Sequence, residues 1–150
     1  MPRPVPHHPA TEELDLHPTA RIARISRLLR HGFDEQLEPY GLTAVQFALL
    51  NRLSQVDGLV QAELGRRMAI EPATLTGIVQ RLERDGWVRR GCDPENRRLQ
   101  RVWLTDKARD VMPALRRIQS RRRRKIFAGF SAEDLARLEE LLERMEANLR

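Results

Sequence analysis

The stretch Trp87–Ala108 reads WVRRGCDPENRRLQRVWLTDKA. Two short runs, 87–90 and 99–104, flank the segment Gly-Cys-Asp-Pro-Glu-Asn, and the second run alternates loosely between apolar and polar residues. Glycine, aspartate, asparagine and proline are turn-forming residues, so the stretch predicts a β-hairpin. This hairpin requires an explanation, because the patterns on either side of it are helical and because arginines are bunched at its tip.

The chain around this hairpin is long enough for one domain, since it has 150 residues of which 41% are hydrophobic. It carries 27 Lys and Arg against 21 Asp and Glu, and its isoelectric point is near 10.8. A basic chain favours a nucleic-acid partner. The placement of the charges decides more than their number, because arginine-rich compositions also have other causes.

Several other classes of protein are disfavoured by what the sequence lacks. No apolar run approaches 18 residues, and the beginning MPRPVPHHPATEE has no apolar signal region. The single cysteine, Cys92, allows no internal disulfide and fits a reducing compartment. We therefore expect a cytoplasmic protein without a membrane segment.

Catalytic and metal-binding patterns are also missing from the sequence. It contains no Ser/His/Asp set, no Gly-rich phosphate loop and no H-E-x-x-H motif, and its four histidines lack the spacing of metal ligands. We therefore expect neither an enzyme nor a cofactor or metal site.

Helical patterns flank the hairpin on both sides. Five prolines predict a flexible arm over 1–18, and apolar spacing predicts a helix from 19 to about 36. A capping box at Thr43 predicts the start of a helix that runs to about residue 55. Further helices are predicted over 106–127 and from Ser131 onward. The last helix has an apolar seam with alternating spacings of three and four, which requires a partner helix: Leu135, Leu138, Leu142, Met145 and Leu149.

Two short helices, 60–69 and 72–84, are predicted directly before the hairpin, with a tight turn between them. They should cross steeply, as in a helix-turn-helix whose second helix enters a DNA major groove. The face of that helix opposite its apolar residues is small and hydrogen-bonding at its start and basic at its end. Such side chains can pair with base edges, although an ordinary solvated face also explains the pattern. This face includes Thr74, Thr76, Gln80 and Arg81.

The hairpin adds positive charge beside this second helix. Six arginines and only three acids lie between Arg84 and Arg101. An arginine-tipped ribbon beside a reading helix can reach an adjacent minor groove, where the negative potential attracts arginine. The hairpin is then a wing. The alternative is a solvated turn whose arginines pair with Asp93 and Glu95.

Short motifs occur in a fixed order along this region: Glu63-Leu64, Thr74-Leu75-Thr76, Arg81-Leu82-Glu83, Gly86, Asp93-Pro94, Arg97-Arg98 and Leu104-Thr105. In this combination, residues 60–108 closely resemble the winged helix-turn-helix of the MarR family of bacterial transcription regulators. The flanking helices match the family in number and order. The resemblance implies a mainly α fold with a small β-wing in a single compact chain. Residues 56–105 would be the DNA-binding region, and the helices of 19–55 and 106–150 would form a dimerisation region.

The resemblance also implies a function. Family members are homodimers that bind palindromic operators in double-stranded DNA, mostly as repressors released by a small, often phenolic, ligand or by oxidation. By position, the recognition-helix contacts would be Thr74, Thr76, Gln80 and Arg81. Arg98 would be the wing-tip arginine, and we expect Arg97 nearer the phosphates. The alternatives are a non-specific or architectural nucleic-acid-binding protein and a module that mediates only protein contacts.

The sequence departs from the family at two positions. The family often has an aspartate two residues before the wing-tip arginine, whereas this chain has Asn96, which cannot form an ion pair and so predicts a looser wing. Val60 stands where the family often has a Ser or Thr cap, so the start of that helix is expected either to fray or to use another cap.

Relatives bind effectors where the first helix and the 43–55 helix meet the 106–127 helix. Phe33, Tyr40, Phe47 and Met112 are candidates to line such a pocket, although ordinary core packing explains them as well. Arg24 or His31 would meet an anionic group of the ligand.

Two further features allow both an ordinary and a functional interpretation. The run RRRRK at 121–125 surrounds a helix axis, which is typical of a solvated segment, although such a run can also contact phosphate without sequence preference. Neighbouring arginines favour a reactive thiolate at Cys92. The cysteine through which some relatives sense peroxide lies in the first helix, however, where this chain has none.

Overall fold

A computed structural model describes residues 17–149. The predicted arm over 1–18 lies almost entirely outside these residues. The chain forms two compact units, and the first of them ends at Pro113. The predicted fold class, mainly α with a small β-wing, is confirmed.

Within the described residues there are six α-helices and three strands. The helices are α1 (Pro18–Leu37), α2 (Ala44–Gln55), α3 (Gln61–Met68), α4 (Pro72–Arg84), α5 (Asp106–Ile126) and α6 (Ala132–Asn148), with a 3-10 turn at Glu38–Tyr40. The strands are β1 (Leu59–Val60), β2 (Val88–Cys92) and β3 (Gln100–Leu104).

The junction between α1 and α2 has the predicted cap. Thr43 Oγ1 accepts a hydrogen bond from Gln46 N at 3.2 Å, and Gln46 Oε1 accepts one from Thr43 N at 2.8 Å. Asp34 of α1 accepts a hydrogen bond from Ala44 N at 2.5 Å. These bonds satisfy amide groups that a helix start leaves free, and they fix the point where α2 begins.

The core of the first unit lies beneath the helix-turn-helix and the sheet. The apolar face of α4 is buried there as predicted, and α2 contributes four large side chains. The core residues of these two helices are Leu75, Ile78, Val79 and Leu82 of α4, and Phe47, Leu49, Leu50 and Leu53 of α2. Burial of these apolar side chains is the main contribution that stabilises the position of α4.

The sheet has one strand more than the predicted hairpin. Its antiparallel order is β1-β3-β2, and Arg89 of β2 stands opposite Trp103 of β3. Gly91 and Cys92, expected in the turn, belong to β2 and pair with Arg101 and Gln100 of β3. The extra strand β1 has only two residues, which is too short to produce an alternating pattern in a sequence.

The second unit contains the remainder of α5, which continues through Pro113, and α6. Ser131 caps α6 as predicted, since its Oγ accepts a hydrogen bond from Asp134 N at 3.1 Å. Phe127 and Phe130, in the connection, pack edge to face with ring centroids 5.7 Å apart. Several apolar side chains of this unit are exposed: Ile126, Phe130, Leu141, Leu142 and Leu149.

Candidate nucleic-acid interface

The turn between α3 and α4 is tight and holds the two helices close together. Ala69 adopts a left-handed backbone with φ of 51°, and Ile70 N donates to Gly65 O at 3.0 Å. A Cβ at Gly65 would lie 3.0 Å from Leu75 Cδ2, so the glycine permits this close packing. Val60 precedes α3 and provides no side-chain hydrogen bond to cap it.

The face of α4 opposite the core is open to solvent. Thr74, Gln80 and Arg81 are exposed, and Thr76 is half-buried. These four predicted residues border the side of α4 opposite its buried residues, with Thr74 and Arg81 along one edge and Thr76 and Gln80 along the other. Their contact with DNA remains a prediction.

The hydroxyl of Thr76 is already engaged within the helix-turn-helix. It donates to Pro72 O at 2.9 Å, and its oxygen accepts a hydrogen bond from Gln61 Nε2 at 3.1 Å. The bond from Gln61 joins α3 to α4. Thr76 therefore has a positioning role that the sequence did not reveal, and its hydroxyl hydrogen is not free to bind a base.

Arg81 lies back along α4. Its Nε donates to Gly77 O at 3.1 Å, and a Cβ at Gly77 would lie 3.8 Å from its terminal nitrogen. The guanidinium is thus directed toward the start of α4, over a residue without a side chain. Its remaining N–H groups can form the paired hydrogen bonds by which arginine recognises guanine.

A carboxylate joins the wing to α4. Glu83 Oε2 accepts hydrogen bonds from Arg90 Nε at 2.8 Å and from its terminal nitrogen at 2.5 Å, while Oε1 accepts one from Arg90 N at 3.1 Å. The side-chain hydrogen bond from Arg90 holds the pKa of Glu83 below its ordinary value, although partial burial opposes this. This Glu83–Arg90 clamp fixes β2 against α4.

A second carboxylate organises the wing loop. Asp93 is 5% exposed, forms an ion pair with Arg101, and accepts hydrogen bonds from Glu95 N at 2.8 Å and Asn96 N at 3.0 Å. The hydrogen bond from Arg101 is the main reason why the pKa of Asp93 is lowered. Arg101 also donates to Gly58 O at 2.6 Å, which ties the loop to the turn before β1.

The wing tip exposes two arginines. Asn96 Oδ1 accepts a hydrogen bond from Arg98 N at 3.1 Å, so its amide shapes the backbone as expected of an asparagine there. Within residues 17–149, the guanidinium groups of Arg97 and Arg98 have no ion-pair or hydrogen-bond partner. Of the two acids that a solvated turn would offer to its arginines, Asp93 is bound to Arg101, and Glu95 has no ion-pair partner among the described residues. The two arginines are therefore available to an external anion.

The base of the wing is fastened to the start of α5. Thr105 Oγ1 donates to Gly86 O at 2.7 Å and accepts a hydrogen bond from Ala108 N at 3.2 Å. Asp57 accepts hydrogen bonds from Leu104 N at 2.9 Å and from Arg109 at 2.6 Å. Burial raises the pKa of Asp57, but these hydrogen bonds together outweigh it and lower the pKa.

The ion pairs by which Glu83, Asp57 and Arg101 position α4 and the wing were not predicted from the sequence. Each residue acts through a partner that lies on another element, such as Arg90 on β2 for Glu83 of α4. No periodicity or motif marks such pairs in one sequence. The only indirect signal was that Glu83 and Asp93 belong to the motifs that resemble the MarR family.

The six predicted effector residues fall into different environments. Phe33 packs edge to face on Phe47 with centroids 5.2 Å apart, and Phe47 and Met112 are buried. Tyr40 is half-buried, Arg24 is exposed, and His31 pairs with Glu35 at 3.5 Å. Two surface cavities of about 400 and 490 Å³ are lined by other residues. An effector pocket remains a prediction.

Two further properties concern the described part of the chain. Among residues 17–149, no group of three or more His, Cys, Asp or Glu could hold a metal ion. No helix in the same range has the length and apolar character needed to cross a bilayer. Cys92 is an exposed free thiol at the end of β2.

A helix-turn-helix with an exposed polar face on its second helix, followed by a hairpin with an arginine tip that completes a three-stranded sheet, defines a winged helix-turn-helix DNA-binding protein. The family model that matches residues 42–99 is that of the MarR family. A MarR transcriptional regulator from Methanosarcina mazei Go1 is 30% identical, covering 87% of this chain and 94% of that one, with a TM-score of 0.78. The chain belongs to the MarR family and is a DNA-binding transcription regulator.

Two further solved structures have the same fold. The S. aureus MepR–DNA complex has a TM-score of 0.82 at 21% identity, covering 91% of this chain and 99% of that one. The organohalide-sensing regulator RdhR, in its 2,4-dichlorophenol-bound form, has a TM-score of 0.79 at 23% identity, covering 86% of this chain and 77% of that one.

Proposed function

We propose that the protein is a homodimeric repressor that binds an inverted-repeat operator and is released by a small ligand. In each protomer α4 enters the major groove, where Thr74, Gln80 and Arg81 contact base edges. Arg98 enters the adjacent minor groove and Arg97 contacts phosphate. MepR, which shares the fold, is in complex with DNA, and this supports the assignment of the partner.

The observation that carries the proposal is the Glu83–Arg90 clamp between the two reading elements. Because β2 is joined to α4 by three hydrogen bonds, the wing that carries Arg97 and Arg98 is held beside the helix that carries Arg81. A solvated helix face and an unrelated solvated turn would not need such a connection.

A homodimer is supported by apolar surface that one chain leaves uncovered. Ile25 and Leu28 of α1 are 47% and 62% exposed, and Leu141 and Leu142 of α6 are 42% and 43% exposed. Monomers rarely expose this much apolar area on regular elements. We assign residues 19–55 and 106–150 to dimerisation and 56–105 to DNA binding. A two-fold dimer places its recognition helices about 34–36 Å apart on one face of the duplex.

A small ligand is supported by RdhR, whose structure contains 2,4-dichlorophenol. We place the effector site of this protein at the aromatic pair Phe33 and Phe47, with Tyr40 and Met112 at its edge. Arg24 or His31 would neutralise a phenolate or carboxylate.

Selection of bound sequences from a random DNA pool tests the function directly. The purified full chain should enrich an inverted repeat, and its footprint on that sequence should be two-fold symmetric. Enrichment of no sequence, with equal affinity for all pool members, would instead support the alternative of a basic protein that binds through 121–125 without preference.

A further inference from the structure

Opposite charges are segregated on the two helices of the second unit. Residues 114–126 of α5 contain six arginines, one lysine and no acid. Helix α6 contains six acids and two arginines. The net charges of these two segments are therefore +7 and −4, and each segment complements the other.

Three arginines form a stripe along α5. Arg117, Arg121 and Arg124 are spaced by four and three residues, so they lie on one face of the helix. All three are exposed, and none has an ion-pair or hydrogen-bond partner among residues 17–149. Like charges at this spacing destabilise a helix. An external anion that approaches this arginine stripe would remove that repulsion.

A groove lies beside the arginine stripe. It has a volume of about 400 Å³ and is lined by Ser120, Arg123, Arg124, Phe127 and Leu135. Its apolar part is formed by a phenyl ring and a leucine, and its rim by two guanidinium groups. Such a groove fits an apolar side chain that is followed by a carboxylate.

Helix α6 presents this combination. Leu142 is 43% exposed and directly precedes Glu143, while Leu138 directly precedes Glu139. Glu139 and Glu143 are spaced by four residues and form an acid stripe. Both are exposed, and neither has an ion-pair partner among the described residues.

We propose that the arginine stripe of one protomer binds the acid stripe of a second copy of this chain, with Leu142 of that copy in the groove. Two-fold symmetry forms the contact twice. The leucines supply apolar contact, whereas the charges select the partner, because chains with like charges at these positions repel each other. The inference rests on the proposed homodimer and assigns the residues that make it selective.

Charge reversal tests this pairing. R121E/R124E should raise the dimer dissociation constant about tenfold or more at about 50 mM salt, because a symmetric dimer contains four reversed charges. E139R/E143R should have the same effect. An equimolar mixture of the two variants should form a heterodimer, since complementarity is restored. Analytical sedimentation measures association in each variant and in their mixture. Circular dichroism verifies that the helices persist.

R97E/R98E is the matched control, because it makes the same charge change on the wing and should leave the dimer constant unchanged. If the parent dimerises and both charge-reversal variants have the same dimer dissociation constant as the parent, the selective pairing is wrong while the homodimer stands. If R121E/R124E weakens binding to random DNA and leaves the dimer intact, the arginine stripe contacts phosphate and the pairing is overturned. A parent that remains monomeric overturns the proposed homodimer and this inference together.

Discussion

Gly58 shows how much one residue contributes to the geometry of the wing. It has φ of 71°, and a Cβ at this position would lie 2.5 Å from Nε1 of Trp103. Both the backbone and the neighbouring ring therefore require glycine. Trp103 covers this turn and also lies close to Gly91, where a Cβ would be 3.2 Å from the indole.

We predict that Gly58→Ala lowers the free energy of unfolding by about 2–4 kcal/mol, from left-handed strain and overpacking together. Gly41→Ala is the control, because Gly41 has φ of 65° with no atom within 4 Å of its Cβ position. It should cost only about 1–2 kcal/mol. Urea denaturation measures both, and equal losses would show that Trp103 moves aside freely.

Arg81 is one of the residues proposed to read a base. We predict that Arg81→Ala weakens cognate binding by about 1–3 kcal/mol and relaxes the preference at one base position. Arg84→Ala is the control, since Arg84 pairs with Asp85 at 2.8 Å and should affect sequence preference little. Equal losses on cognate and random DNA for Arg81→Ala would mean that Arg81 binds phosphate only.

The connection between α4 and β2 depends on the charge of Glu83. Folding lowers the pKa of Glu83 because of the hydrogen bond from Arg90, with burial opposing it. The pair therefore stabilises the folded chain above the ordinary glutamate pKa of about 4.5, and this contribution is lost as pH falls through the lower folded value.

We predict that Glu83→Gln destabilises the protein at pH 7 by about 1 kcal/mol or less, because the carboxylate is 36% exposed. The difference from the parent should shrink below pH 4.5 as the parent loses the same charge. Glu95→Gln, which removes a carboxylate at the exposed wing loop, should leave the free energy of unfolding unchanged at neutral and at acidic pH. Thermal or urea unfolding at several pH values measures this, and a constant difference across that range would contradict the role assigned to the charge.

The wing as an element is tested at its tip. We predict that Arg98→Ala weakens cognate binding by about 1–3 kcal/mol and lowers the salt slope by about one unit. The loss should be larger on operators with A·T-rich flanks, whose narrow minor groove attracts arginine. Affinities at two salt concentrations on A·T-rich and G·C-rich flanks measure this. If the variant binds every operator like the parent, the ribbon is a passive hairpin.

Local chemistry made most elements predictable. The capping box at Thr43 and the proline at the first position of α4 are signals read from neighbouring residues, and both elements begin where they were expected. Strand β1 was missed because it is defined by pairing with Val102 and Arg101, more than 40 residues later. A long-range pair leaves no local pattern.

The same distinction applies to the candidate interface. The exposed face of α4 could be predicted from helical periodicity, and the free wing-tip arginines from turn chemistry. The engagement of Thr76 by Gln61 could not, because the two residues are 15 apart and lie on different helices. The sequence predicted a looser wing because Asn96 cannot form an ion pair, and the ion pair between Asp93 and Arg101 was not predicted.

At the scale of the whole molecule, the proposed function requires two copies of the chain. We predict that Leu138→Asp with Leu142→Asp abolishes both the dimer and cognate DNA binding, since buried unpaired carboxylates are costly in an apolar interface. Leu99→Asp is the control, because Leu99 is an exposed leucine of the wing. This variant should retain the mass of a dimer. Light scattering at micromolar concentration measures the mass of each variant. A dimer mass for the double variant would show that Leu138 and Leu142 do not hold the dimer together.

Both tryptophans of the chain belong to the wing and its base. Trp87 is buried beneath Lys107, whose nitrogen lies 4.5 Å from the ring centre, and Trp103 is half-buried beneath Arg89 at 4.4 Å. All indole emission therefore originates in the region proposed to touch DNA. Docking that draws Arg89 toward a phosphate would change the emission of Trp103, whereas association through α6 would leave the spectrum unchanged. The protein can thus be titrated with unlabelled duplex and observed by its own fluorescence.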